Sequence, residues 1–264
     1  MLFNIGDLVT RNSYNNDIVF KIIDIKDNFV VLKGINVRLV ADAEVDDLVM
    51  CNGCEKEYID NDEDILRKMD VFRNLNRDDF FYLPGKILHI DADKDYLNRC
   101  LKFYKDMNIL SFGVVISEKD VANEIDYHLE KIKPDILVIT GHDAYYDNGN
   151  FSNLDDYKNS QYFIDAVKRA RNYEKNQNKL LIIAGACQSN YEELIKAGAN
   201  FASSPKRINI HALDPAIIAS SLALSDQSKP INLIPILEKT KYGKDGIGGI
   251  ITNGVMYVGY PRWV

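Results

Sequence analysis

The sequence predicts an α/β protein: a doubly wound, mostly parallel sheet with helices on both faces, preceded by a small all-β barrel. Three observations carry this. Four near-continuous apolar runs follow Pro84, each trailed by a stretch of helical periodicity, and strands apolar on both faces that alternate with helices form a parallel sheet covered on both sides. Before residue 50 the apolar positions come instead in short β-rich runs separated by Asn, Asp and Gly turns. The charge divides the chain at the same place. Residues 1–50 carry 8 acids and 5 bases, 51–80 carry 9 and 5, and 81–264 carry 22 of each, so the whole formal charge of −7 lies in the first 80 residues.

Taken in order, the runs DLVTR, DIVFKIIDI, NFVVLKG, VRLVAD and DDLVM suit five short strands of an SH3-like barrel over residues 1–50. A barrel of that size is too small for a catalytic cleft and reads as a binding module. Residues 51–83 read as an acidic linker with a short amphipathic helix, its apolar positions being Ile65, Leu66, Met69, Phe72 and Leu75. The α/β domain then occupies 84–264. Its first four strands are KILHIDAD (86–93), ILSFGVVIS (109–117), PDILVITGHD (134–143) and KLLIIAGACQ (179–188). ANFASSPKR (199–207) suits a fifth short strand and a turn, and HALDPAIIASSLAL (211–224) a helix. PINLIPILEKT carries Pro235 and is left open, while Asn253-Gly254 between two β-rich runs signals a hairpin.

Composition bounds the function. With 264 residues, 46% hydrophobic and 27% charged, the chain is globular rather than disordered. Its acidic balance argues against a nucleic-acid partner held by general basicity. No apolar run approaches the roughly 18 residues of a membrane span, and Asp7 interrupts the first apolar stretch, unlike a signal peptide. Four cysteines in a chain this long suggest a reducing, cytoplasmic compartment with free thiols. Cys51 and Cys54 form a single C-x-x-C, short of the four ligands of a closed zinc site, so no metal is expected. Neither a Walker A nor a dinucleotide fingerprint is present, and no cofactor is expected.

In an open parallel sheet, chemistry gathers just past the carboxyl ends of the strands. The candidates there are Asp91 and Asp93, Ser117, Gly141-His142-Asp143, and Gly185-Ala186-Cys187-Gln188. A histidine ends the third strand and a cysteine the fourth, and consecutive strands are usually neighbours. A cysteine nucleophile needs an imidazole within reach to raise its thiolate fraction, and a helix opening at the cysteine would favour the thiolate further. The spacing of 45 residues from His142 to Cys187 is one helical crossover. Asp93 of the D-x-D-x-D at 91–95 reads as a helix cap.

A hydrophobic strand ending in His, a spacer near 50 residues and a second strand ending in Ala-Cys resembles the caspase-like cysteine peptidases, in which these are also the third and fourth strands. Here the segments are ILVITGHD and LLIIAGAC, with Asp143 where those families usually have Gly. FNIGDLVTRNSY, PGKILHIDAD, YLNRCLKFYK, PDILVITGHDAY, AGACQSNYEELIKAGANFASSPKRINIHALDP and GIGGI together resemble the YabG peptidase family of endospore-forming Firmicutes. That resemblance implies a cysteine endopeptidase made in the mother cell, which associates with the forming coat and processes coat and cortex-lysis precursor proteins after arginine. It puts the nucleophile on Cys187 and the general base on His142, and implies an oxyanion held by the backbone at Ala186–Cys187 and in the turn Gly141–Ala144, Asp143 included. Arginine specificity asks for a carboxylate in the pocket. Asp91 and Asp143 are the first choices, ahead of Asp93 and Asp147, and Gln188 and His211 are further substrate-cleft residues. Two other functions are weighed. One is a noncatalytic coat-binding scaffold. The other is a glutamine-amidotransferase-like hydrolase using His211, although GACQS lacks the final Gly of that motif and no Glu stands two residues after His211.

Overall fold

The computed structural model describes residues 3–26, 29–69, 80–146 and 151–262. Phe72, Leu75 and Asp147, singled out above, lie outside the described residues. The chain divides into two compact units, Met1–Lys68 and Met69–Val264.

In the first unit β1 (Leu8–Arg11), β2 (Phe20–Lys26), β3 (Phe29–Gly34), β4 (Val40–Glu44) and β5 (Leu48–Met50) form one antiparallel sheet in the order β4-β3-β2-β1-β5. The period-2 alternation turns Phe20 and Ile22 of β2 and Val30 and Leu32 of β3 to one side, where they pack with Val9, Ala43 and Leu48. Helix α1 (Cys54–Lys68) starts inside the CNGC segment, so the acidic cluster read as linker is helical. Cys51 and Cys54 are joined in a disulfide, where free thiols were expected. The pair stands between the end of β5 and the first residue of α1, a strand-to-helix turn that the sequence did not reveal.

In the second unit β7 (Ile87–Asp91), β8 (Ser111–Val115), β9 (Ile136–Thr140), β10 (Leu181–Ala184), β11 (Phe201–Ser203) and β12 (Ile247–Gly249) make a six-stranded sheet in the order β12-β11-β10-β9-β7-β8. All neighbours are parallel except β12, which runs antiparallel to β11. Every residue of β7, β9 and β10 is buried, which is why these strands read as unbroken apolar runs. Leu88, Ile90, Leu137, Ile139 and Ile182 point to one face, against α3 (Val121–Ile132), α4 (Ser160–Tyr173) and α5 (Tyr191–Ala197). The alternate residues face α2 (Lys94–Asp106) and α6 (Asp214–Ala223). All ten residues of α6 are buried, as its apolar composition on every side requires.

Pro235 sits inside a short helix, α7 (Leu233–Leu237), which settles the segment left open by sequence. The expected hairpin at Asn253-Gly254 does not form. The first of its two runs joins β11 as β12, and the second, β13 (Tyr257–Gly259), pairs with β6 (Phe81–Leu83). Gly254 is needed for a different reason than a turn: a Cβ there would stand 2.0 Å from the carbonyl oxygen of Ser225, where the segment crosses the chain leaving α6. Gly254→Ala should therefore destabilise the protein by about 1–3 kcal/mol, read as a lower melting temperature; an unchanged melting curve would contradict this packing.

Candidate active site

The strand order places one topological switch point between β7 and β9. From β7 the chain moves outward to β8, and from β9 it moves the other way to β10, so the loops part and leave a crevice at the carboxyl ends of these strands. Asp93 and His142 face each other across it. The β9–β10 register pairs Leu181 with Ile136 through Ala184 with Ile139, and the Gly185 N–H continues it to the Ile139 carbonyl at 3.1 Å. The offset is 45 residues, the spacing from His142 to Cys187, and each of the two follows the last pair of the ladder by three residues.

Each loop is shaped for this. A Cβ on Gly141 would lie 2.7 Å from Glu118 Oε1 and 3.1 Å from the Ala92 side chain, so a larger residue there would have to displace the Glu118 carboxylate. Glu118 in turn accepts the His142 N–H at 2.8 Å, and Asn159 Nδ2 donates to the His142 carbonyl at 2.8 Å. The His142 ring packs against Tyr96, with centroids 5.7 Å apart, and its Nε2 lies 3.3 Å from Asp93 Oδ2. Its Nδ1 is buried and has no hydrogen-bond partner among the described residues. Imidazole and thiol are thus brought to adjacent strand ends without a hydrogen bond between them.

Cys187 is fully buried and is not part of a disulfide among the described residues. It does not open a helix as expected. Gly185 (φ +104°) and Gln188 (φ +58°) turn the chain through a loop before α5 begins at Tyr191, capped by Asn190. Ile210 N–H donates to Cys187 Sγ at 3.3 Å, and Sγ lies 3.8 Å from the Ile210 carbonyl, so the segment leaving β11 lies directly on the thiol. That segment is held under tension. Ser204 (φ 66°) and Arg207 (φ 54°) both adopt the left-handed region, which non-glycine residues rarely do. The Arg207 guanidinium is buried against Tyr157 and Phe151, with its Nε donating to Tyr157 Oη at 2.6 Å and its Nη2 paired with Glu192.

The remaining sequence candidates are tied into the framework. Asp91 is fully buried and accepts from Thr140 Oγ1 at 2.7 Å and from the Asp93 N–H at 2.9 Å. Asp143 accepts four hydrogen bonds, from Ser160 Oγ (2.5 Å), Ser189 Oγ (2.8 Å), Asn159 N (2.7 Å) and its own neighbour Ala144 N (2.9 Å). Both carboxylates, first choices for an arginine pocket, are turned inward. The Asp143 backbone N–H has no acceptor among the described residues. Gln188 joins three segments: its Oε1 accepts from Tyr145 N, its Nε2 donates to Asn209, and its N–H meets Ser204 Oγ and the Ile208 carbonyl. The buried His211 accepts the Leu213 N–H at Nδ1, and its Nε2 lies 3.4 Å from Arg99 Nη2. Ala186 is buried, its N–H held by Ser189 Oγ.

Sequence reasoning missed Glu118, Ser160 and Ser189; it foresaw that Asp93 caps α2, at Asp95 and Tyr96, but not that Asp93 lies beside His142. Among the described residues no three His, Cys, Asp or Glu side chains gather to hold a metal ion, and no helix is long and apolar enough to cross a membrane.

Burial pushes the Asp143 carboxyl above the ordinary aspartate value, against the opposing pull of its hydrogen bonds from Ser160, Asn159, Ser189 and Ala144. A native state that holds this proton more tightly than the unfolded chain gains stability at low pH and loses it as pH rises through the raised value. Across that window, from about pH 4 upward, Asp143→Asn should become progressively more stable relative to the parent. A difference in melting temperature that does not change with pH would contradict this.

The model of the family described as YabG peptidase U57 matches residues 4–261. The chain is also 39% identical to the sporulation-specific protease YabG of Bacillus subtilis (strain 168), over 99% of each chain. The chain belongs to the YabG peptidase family, U57, and is a peptidase.

Proposed function

We propose that this chain is a cysteine endopeptidase of sporulation in which Cys187 is the nucleophile and His142 the general base. The observation that supports the reading is the β9–β10 register: His142 and Cys187 each follow its last pair, Ile139 with Ala184, by three residues. In this mechanism the Cys187 thiolate attacks the scissile carbonyl while His142 takes up the thiol proton and later gives it to the leaving amine. The backbone N–H groups of Cys187 and Asp143 hold the oxyanion. That the Asp143 N–H has no acceptor of its own among the described residues supports the second of these roles.

A scissile carbonyl must come within about 3–3.5 Å of the sulfur, a position now taken by Ile210. The segment 208–210 therefore swings aside when substrate enters. The placement of His and Cys after the third and fourth strands of the parallel sheet supports a caspase-like catalytic domain. The antiparallel sheet order of the first unit is compatible with an SH3-like binding module. On the family resemblance, the substrates are spore-coat and cortex-lysis precursors cut after arginine, in the mother cell and at the forming coat. Asp91 and Asp143 are spent on internal donors, and the arginine pocket is assigned to neither.

Cys187→Ala and His142→Ala should each leave a folded protein whose cleavage of a fluorogenic peptide ending in arginine falls by about 10³-fold or more. Undiminished cleavage by purified Cys187→Ala would overturn the assignment and return the noncatalytic scaffold as the better reading.

A further inference from the structure

We propose that Asp93 is the positioning residue of the site, fixing the tautomer and orientation of His142; this rests on the reading of His142 and Cys187 as base and nucleophile. The two oxygens of Asp93 do different work. Oδ1 accepts from the Asp95 and Tyr96 N–H groups at 2.9 and 3.3 Å and caps α2, while Oδ2 lies 3.3 Å from His142 Nε2. The carboxylate is itself held, because the Asp93 N–H donates to Asp91 Oδ1. Asp91 is in turn fixed by Thr140, at the end of β9. Both sides of the crevice therefore determine where Oδ2 stands.

An ionised carboxylate can only accept, so the ring nitrogen facing it carries the proton. With the proton on Nε2, the lone pair of the neutral ring falls on Nδ1, the buried nitrogen that has no partner among the described residues. That is the nitrogen left to take a proton from the thiol. Tyr96, one turn into the helix that Asp93 caps, packs on the ring and restricts its rotation. At 13% and 20% exposure the Asp93 and His142 side chains are largely withdrawn from water, which strengthens the interaction. A cap alone would need only Oδ1.

The test separates the two roles, since Asn and Ser cap a helix about as well as Asp. Asp93→Asn turns an amide N–H toward Nε2, takes up its lone pair and moves the ring proton to Nδ1. Asp93→Ser keeps a capping oxygen but is too short to reach the ring. Both variants should melt as the parent does. Asp93→Asn should lose on the order of 10²- to 10⁴-fold in kcat with KM little changed. Imidazole ¹⁵N shifts of His142 at alkaline pH, recorded in the Cys187→Ala background, should show the proton on Nε2 with Asp93 and on Nδ1 with Asn. This reading in the parent needs no variant at position 93 to fold. Parent-like kcat in both Asp93 variants, with Cys187→Ala and His142→Ala inactive, would overturn the positioning role and leave the dyad standing. A ring protonated at Nδ1 in the presence of Asp93 would overturn it too. Cleavage retained by Cys187→Ala would remove the dyad and the positioning role together.

Discussion

The carboxylate of Asp143 is where the loops of this site are tied together. Its oxygens gather the turn that opens α4, through Asn159 and Ser160, and the loop that carries Cys187, through Ser189. Ser189 passes the constraint on to Ala186, next to Cys187, and Ser160 accepts the Asn190 N–H at the start of α5. One buried acid thus holds the ends of β9 and β10 in the arrangement their register begins. Withdrawing it from water is costly, as its raised pKa reflects, and four donors offset that cost. A glycine at this position could supply the same backbone N–H but none of these ties.

Much of the fold was legible because burial on both faces writes itself into the sequence. β7, β9 and β10 show as continuous apolar runs since no residue on them meets water. The proposed dyad was legible for a related reason: in a parallel pair joined by one crossover, paired residues are separated by a constant offset, here 45, which is also the spacing of His142 and Cys187. What could not be read was anything set by strand order. That β7 rather than β8 lies beside β9 brings Asp93 to His142, and no local pattern states it.

The misread segments share a physical cause. Asn253-Gly254 carries the chemistry of a hairpin turn, yet the runs on either side find better partners in β11 and β6, and the glycine serves a close approach to Ser225. Asp91 and Asp143 were read as pocket acids because a charged residue past a strand end invites that reading. Their actual donors come from Thr140, Asn159, Ser160 and Ser189, polar residues with no periodicity to reveal them. The backbone of Ile210 over the thiol is likewise a tertiary contact across 23 residues.

The central claim is that the thiol of Cys187 attacks the peptide carbonyl. Its most direct measurement is labelling of the active protein with a peptidyl-arginine acyloxymethyl ketone, followed by peptide mass spectrometry. The account predicts one adduct, on Cys187, formed in step with loss of cleavage activity. An adduct on Cys100 instead, or complete loss of activity with Cys187 unmodified, would contradict it.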